Sequence, residues 1–408
     1  MTNAILTLNT GSSSIKYALY TFENKQNLIA KGEISSIGTS PVFRSVEMIG
    51  AKRNLRIDAD LPVKHDDLIR YLVDWIGKEF PKLTITAAGH RIVHGGREFT
   101  GPVLLTPSTL VALADLSPLA PDHQPLNLAG VHSVTECWPD IPQVACFDTS
   151  FHRTQSNIAQ LYALPRELIN DGVIRYGFHG LSYEYIATEL PDYAGPRADG
   201  RVIVAHLGHG ASMCALIERK SQATSMGFTA LGGLVMGQRC GDLDPGVVLY
   251  LMRERKMTVH SIEELLGHRS GLLGVSGFSS DMRMLLGSDD THAREAVDLF
   301  VYRAVREIGS LSAAIGGLDV LVFTGGIGEN SMEIRARIAS GCTWLGVQID
   351  EIKNQSGAPR ISASNSTVDV FALPTDEEKI IALHTAQLVR REIRRNDPGS
   401  QVMGGGYE

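Results

Sequence analysis

The feature that most constrains this chain is a strand–glycine turn–strand unit that occurs twice. Residues 5–20 read ILTLNTGSSSIKYALY: an apolar run, a Gly/Ser turn, then alternating apolar Ile15, Tyr17 and Leu19, which predicts a β-hairpin. Residues 202–217 read VIVAHLGHGASMCALI. With Ile5 laid on Val202, Gly11 falls on Gly208 and Leu19 on Leu216. A unit that recurs about half a chain later predicts two related domains.

The rest of the chain mixes strands and helices. Leu68, Ile69, Leu72, Val73 and Ile76 share one face of a helix predicted over 66–80. Gln143 to Cys146 reads as a strand ending at Phe147-Asp148-Thr149, and Pro191 to Gly200 as a polar, Pro/Gly-rich loop. Residues 294–315 form the strongest helical pattern, with Val297, Val301, Ala304, Val305, Ile308, Leu311 and Ile315 on one face. A strand over 318–323 then meets the glycine turn 324–330. A further strand at 368–373 leads to a helix running to about Arg395, and the tail 397–408 reads as frayed. The fold class is α/β.

Composition narrows the function. There are 38 Lys+Arg against 45 Asp+Glu, a net charge of −7, which argues against a nucleic-acid-binding surface. No run approaches the roughly 20 apolar residues needed to span a bilayer, and no basic region precedes an apolar core as in a secretory signal. The 5 cysteines form no C-x-x-C pair and read as reduced thiols of a cytoplasmic protein.

Three glycine turns each follow a strand: 9–14 (NTGSSS), 206–210 (HLGHG) and 324–330 (TGGIGEN). Backbone N–H groups gathered by glycines, with neighbouring hydroxyls, suit phosphate. One such turn ordinarily only reverses the chain, but three, two of them in duplicated positions, favour a nucleotide cleft. None matches Walker A or G-x-G-x-x-G. Arg91 in GHRIVHGG and Arg239 in MGQRCGDLDP each place a planar donor fork among glycines, where it can grip a carboxylate or phosphate. His179 lies in YGFHG, and Asp148 at a predicted strand end, where α/β proteins build sites.

The segments LNTGSSSIKYAL, GHRIVHGG, CFDTSFH, RYGFHG, HLGHGAS, TSMGFTALGGLVMGQRCGDLDP, FTGGIGEN and PTDEEKIIA resemble, in order, those of the acetate kinase (acetokinase) family, which includes propionate kinases. The family belongs to the acetate and sugar kinase, heat-shock-70 and actin superfamily. The resemblance implies two similar actin-like (ribonuclease H-like) α/β domains around a central nucleotide cleft. The expected division is 1–150 plus 384–408 for the first domain and 151–383 for the nucleotide-binding second. It also implies ATP/ADP and acetate, or another short-chain carboxylate such as propionate, as substrates, Mg²⁺ with Mn²⁺ as a substitute, and a homodimer in the cytoplasm.

Residue by residue, the resemblance places Asn9 and Glu377 near the metal. Ser12, Ser14 and Lys16 fall in the first phosphate hairpin. Arg91 and Arg239 would grip the acyl carboxylate and the transferring phosphoryl group. Asp148 matches the catalytic acidic residue and His179 the transition-state stabiliser. Val93 and Phe178 would wall the acyl group, with His123 at the substrate. The nucleotide would be lined by His206, Leu207, Gly208, His209 and Gly210, by Asp281, Met282 and Arg283, and by Gly325, Gly326, Ile327, Gly328, Glu329 and Asn330. The chain departs from the family pattern at His209 (usually Asn, so a titratable ring enters the turn), Gln238 (Thr), Ala230 (Pro), Gly232 (Glu) and Asp122 (apolar). Leu181 and Tyr183 vary the H-G-T-S-H segment. These departures bear on acyl and donor specificity. A carboxylate acceptor is ionised at neutral pH, so Asp148 reads first as an orienter and only second as a base.

Overall fold

The computed structural model describes residues 1–396 except 12–13, 49–52, 58–60 and 63. The tail 397–408 read above as frayed lies outside the described residues, as does Ser12. The chain divides into two compact units, Met1–Ser150 with the chain from Asp376 onward, and Phe151–Thr375.

The first unit is built on a sheet of β1 (Thr2–Thr10), β2 (Ser14–Thr21), β3 (Leu28–Ser35), β4 (Val42–Glu47), β5 (Arg53–Ile57), β6 (Leu83–Ile92), β7 (Val103–Leu104) and β8 (Gln143–Phe147). The strand order is β5-β4-β3-β2-β1-β6-β8-β7. The predicted first hairpin is β1 and β2, paired antiparallel with Ile5 opposite Tyr20. On its other side β1 runs parallel to β6, and β6 parallel to β8. Helix His65–Glu79 buries Leu68, Ile69, Leu72, Val73, Trp75 and Ile76 against Leu6, Leu8, Ile15, Tyr17 and Phe43 of this sheet. Helix Glu377–Asn396 crosses β6 at Gly89, where a Cβ would run into Thr385 Oγ1 and Ile381 Cγ2; glycine is required there by packing.

The second unit carries β9 (Val202–Leu207), β10 (Ala211–Ile217), β11 (Lys220–Thr224), β12 (Val320–Thr324) and β13 (Asp369–Ala372) in the order β11-β10-β9-β12-β13. Its second hairpin, β9–β10, again has an antiparallel partner on one side and a parallel one, β12, on the other. The series β3-β2-β1-β6-β8 and β11-β10-β9-β12-β13 therefore share one pattern, three antiparallel strands followed by two parallel ones. The sequence repeat is a structural repeat.

Two local readings need correction. The predicted loop at 191–200 is helical at its start: helix Gly180–Ala194 runs through Pro191 before a short 3₁₀ turn. The missing proline N–H removes one bond near the helix end, while Tyr183, Ile186, Ala187 and Leu190 bury one face against Val202, Val204 and Val322. The glycine turn 324–330 is a single reversal only at Gly325 (φ 76°), after which Gly325–Asn330 is a short helix. The long helix, Thr291–Ala314, is capped by the Asp290 carboxylate, which accepts from the backbone N–H of His292 at 2.7 Å. Its buried face includes Phe300, while Val301 and Val305 are only partly covered.

Candidate active site

Three parallel strands of the first unit, β1, β6 and β8, end at one edge of their sheet, and four predicted site residues meet there. Asn9 is near the end of β1, Arg91 near the end of β6, Asp148 one residue past β8, and Glu377 opens the C-terminal helix. Arg91 grips Asp148 bidentately, Nε donating to Oδ1 at 3.0 Å and Nη2 to Oδ2 at 2.6 Å. Its Nη1 donates to Asn9 Oδ1 at 3.0 Å. Asn9 Nδ2 donates in turn to Glu377 Oε2 at 3.0 Å, which lies 3.9 Å from Arg91 Nε.

The electrostatics follow from burial. Asp148 is 1% exposed, so its charge has little water and is answered by the guanidinium. Burial works against the charge of Arg91, but Asp148 and Glu377 outweigh it and keep the guanidinium firmly protonated. Burial pushes the Glu377 carboxyl up to about 7; Arg91 pulls it down and Asp148 pushes it up. The group is thus one fixed cation between two carboxylates, the second of which is short of positive charge.

The loop after β6 is held by side chains that sequence reading did not single out. Asn127 Oδ1 accepts from Val93 N at 2.9 Å while Asn127 Nδ2 donates to the Thr10 carbonyl at 2.7 Å. Gln124 brackets His94 through both its backbone groups. His123 directly precedes this residue, at the N-terminal end of helix Gln124–Cys137, and Val93 is buried. Ser14 and Lys16 begin β2, with Lys16 opposite Asn9 and its side chain exposed. Asp122 is exposed, as expected for a carboxylate that avoids an apolar wall.

In the second unit a cavity of about 800 Å³ is lined by much of the predicted nucleotide set: Gly208 and His209, Asp281 to Arg283, and Gly326, Ile327 and Asn330. Ser280, Leu286 and Ser331 to Glu333 also line it and were not foreseen. Asp281 receives Arg283 at 2.6 Å, and that hydrogen bond holds its carboxyl below the usual range. Leu207, Gly325 and Gly328, of the same set, are buried and do not line it. Glu329 turns its Oε1 to the backbone N–H groups of Gly325 and Thr375, at 3.0 and 3.1 Å, and so braces the turn.

A second group in this unit gathers around the β9–β10 turn. His179 and His206 stack with ring centroids 4.3 Å apart. A Cβ on Gly210 would stand 3.2 Å from His179 Nε2 and 3.8 Å from Arg239 Nη1, so glycine keeps open the space these two groups face. Arg239 Nη1 donates to the carbonyl of Ala230 at 3.0 Å, linking two positions around the expected acyl site. Phe178, buried, precedes His179. The crowding of His209, then the nearby Arg239, hold its imidazole below the ordinary histidine range although one edge meets solvent. The titration expected from sequence is therefore displaced to lower pH.

A duplicated α/β scaffold carrying a buried guanidinium–carboxylate group and a glycine-flanked cavity is the equipment of a phosphoryl-transferring enzyme. The model of the acetokinase family matches residues 4–383, and the chain belongs to that family of kinases. It is 55% identical to an acetate kinase of Rhodopseudomonas palustris over 396 residues, covering 95% of this chain and 99% of the relative. Among solved structures, a propionate kinase from Francisella tularensis superposes with a TM-score of 0.85 at 35% identity, covering 94% of this chain and 99% of the other. The acetate kinase of Porphyromonas gingivalis gives 0.82 at 36% identity, covering 95% and 100%. The actin-like α/β fold class expected from the resemblance is borne out.

Proposed function

We propose that the chain transfers the γ-phosphoryl group of ATP to acetate, reversibly, giving acetyl phosphate and ADP. The observation that carries this reading, beyond family membership, is the Arg91–Asp148 pair with Asn9 and Glu377 at one sheet edge. An acetate oxygen attacks the γ-phosphorus, the bond to the β-phosphate oxygen breaks, and ADP leaves. No proton need move, because the acceptor is already a carboxylate. Both oxygens of Asp148 are taken by Arg91, which supports orientation as its work and not proton removal. Arg91, Arg239 and His179 supply positive charge or N–H donors to the acyl carboxylate and the equatorial phosphoryl oxygens.

The same reading assigns Mg²⁺ to the Asn9–Glu377 side. Among the described residues no group of three or more His, Cys, Asp or Glu could hold a metal. Magnesium, however, takes only one or two carboxylates beside waters and substrate phosphates. The Glu377 carboxylate, short of positive charge, with the Asn9 amide beside it, fits that need. When bound, the ion would neutralise phosphate charge. The reading also includes the cytoplasm, supported by five cysteines that form no disulfide, and a homodimer. The dimer is supported by helix Pro245–Arg253, which buries none of its residues and exposes Val247, Leu249, Tyr250 and Met252.

A hydroxamate assay with acetate, propionate and butyrate, each with ATP or pyrophosphate, together with ADP release from ATP in the presence of glycerol, tests the function. ATP-dependent hydroxamate from acetate is expected. Turnover of glycerol alone, or pyrophosphate outperforming ATP, would overturn it. Light scattering tests the dimer.

A further inference from the structure

His179 is one of five described residues outside glycine with positive φ (58°), and it sits at the entry to helix Gly180–Ala194. A left-handed conformation at a non-glycine residue persists only where surrounding contacts over-determine it. Two buried arms do so, one on each of two consecutive residues. The first runs Gln155–Ser221–His152–Phe178. Gln155 Nε2 donates to Ser221 Oγ at 2.9 Å, Ser221 Oγ lies 2.9 Å from His152 Nδ1, and His152 Nε2 lies 2.9 Å from the Phe178 carbonyl. A carbonyl only accepts, so His152 Nε2 carries a proton and donates to it. Gly177 (φ 75°) lets this ring approach, since a Cβ there would run into it.

The second arm ends on the histidine itself. His179 Nδ1 lies 2.8 Å from Ser212 Oγ, and Ser212 Oγ lies 2.5 Å from the Tyr183 hydroxyl. Ser212 and Tyr183 are both 0% exposed. The Tyr183 ring is fixed between Phe151, stacked at 6.4 Å, and His152, edge-on at 5.6 Å. The opposite nitrogen, Nε2, is the one beside Gly210 and Arg239.

We propose that Tyr183 and Ser212 are positioning residues that fix the tautomer of His179. Tyr183 donates to Ser212, Ser212 donates to His179 Nδ1, and the ring proton is held at Nε2, where it is a donor. This rests on the reading that His179 donates to a transferring phosphoryl group. Tyr183 stands where the segment resembled has histidine, and an imidazole N–H can donate to Ser212 in the same sense as the phenol. The tyrosine thus keeps the arm while changing the residue.

The test uses the whole enzyme labelled with ¹⁵N-histidine. Long-range ¹H–¹⁵N spectra, with His179→Gln to assign the signals, read which ring nitrogen carries the proton. The expected result is an Nε2–H ring at His179 in the parent. Tyr183→Phe, which keeps the packed ring and removes only the hydroxyl, should give a mixture of tautomers. Its kcat should fall roughly tenfold with KM for acetate and ATP within about twofold, and Tyr183→His should restore both readouts. If Tyr183→Phe does not fold, Ser212→Ala carries the same expectation. An Nδ1–H ring in the parent, or a variant unchanged in either tautomer or kcat, overturns the proposal. The spectra need no turnover, so a parent that makes no acetyl phosphate would sink the functional reading and leave the tautomer assignment measurable.

Discussion

Replacing Asp148 by Asn keeps the side-chain shape and removes one charge from the Arg91 pair. In the parent the carboxylate is 1% exposed and Arg91 16%, measured on the side chains, and two parallel N–H bonds join them. Taking one partner from a buried pair costs about 3–5 kcal/mol of stability; the retained amide oxygen keeps one bond, so about 3 kcal/mol is expected. Arg91 loses one of its two fixed points, and misplacing a transition-state donor costs about 3 kcal/mol, roughly 10²-fold in kcat. Removing the Asp148 charge also lowers the Glu377 carboxyl, because Asp148 is one of the groups pushing it up. The assay is kcat and KM for acetate against pH, alongside thermal unfolding. The expected result is a folded, less stable variant with kcat reduced about 10²-fold, acetate KM changed little, and no rescue at high pH. A parental acidic limb that disappears in Asp148→Asn but persists in Glu377→Gln would refute orientation and make Asp148 a base.

Arg239→Ala should lose about 3 kcal/mol of transition-state stabilisation, at least roughly 10²-fold in kcat/KM, without unfolding, because the arginine is only partly covered; near-normal kcat would remove it from the site. His90 is buried with Nε2 2.7 Å from Gln143 Oε1, and burial, partly offset by that bond, lowers its pKa to about 4. The unfolded chain therefore binds the extra proton between about pH 6.5 and 4, and stability should fall by about 3 kcal/mol as pH drops through that window; denaturant unfolding of parent and His90→Gln should differ in slope there. Burial, then the nearby Arg239, hold the His209 ring below the ordinary histidine range, so above that range KM for ATP should match that of His209→Asn; diverging curves there would place a charge on the ring. Ala230 lacks the ring carbons of proline, and a buried methylene is worth about 0.8 kcal/mol, so propionate kcat/KM should lie within about tenfold of acetate and Ala230→Pro should shift the ratio toward acetate; an unchanged ratio means residue 230 does not size the pocket.

The hairpins at Ile5 and Val202 were legible because alternation and a glycine turn are local signals. So was the helix over 66–80, whose apolar face is its packing face. Pro191 misled because punctuation by proline is local, while the burial of Tyr183, Ile186, Ala187 and Leu190 that carries the helix past it is tertiary. The turn at 324–330 misled for a related reason: glycines disfavour helix in isolation, yet here Glu329 braces the turn through Gly325 N and Thr375 N. Asn9, Arg91 and Asp148 could be picked out because each ends a strand in a glycine- or motif-marked segment. The Ser212–Tyr183–His179 arm could not, since it arises from strand β10 lying beside a helix begun some thirty residues earlier in sequence. Asn127 and Gln124 look like ordinary helix residues until the loop they brace is in place.

The central chemical event is the passage of a phosphoryl group from ATP to the acetate carboxylate. ³¹P spectra of the purified protein with ATP, Mg²⁺ and acetate follow that event directly. The expected result is an acetyl phosphate resonance growing in equal amount with ADP, absent without acetate and reversed by adding ADP to acetyl phosphate. ADP accompanied by inorganic phosphate alone, or no signal change against a protein-free control, would contradict it.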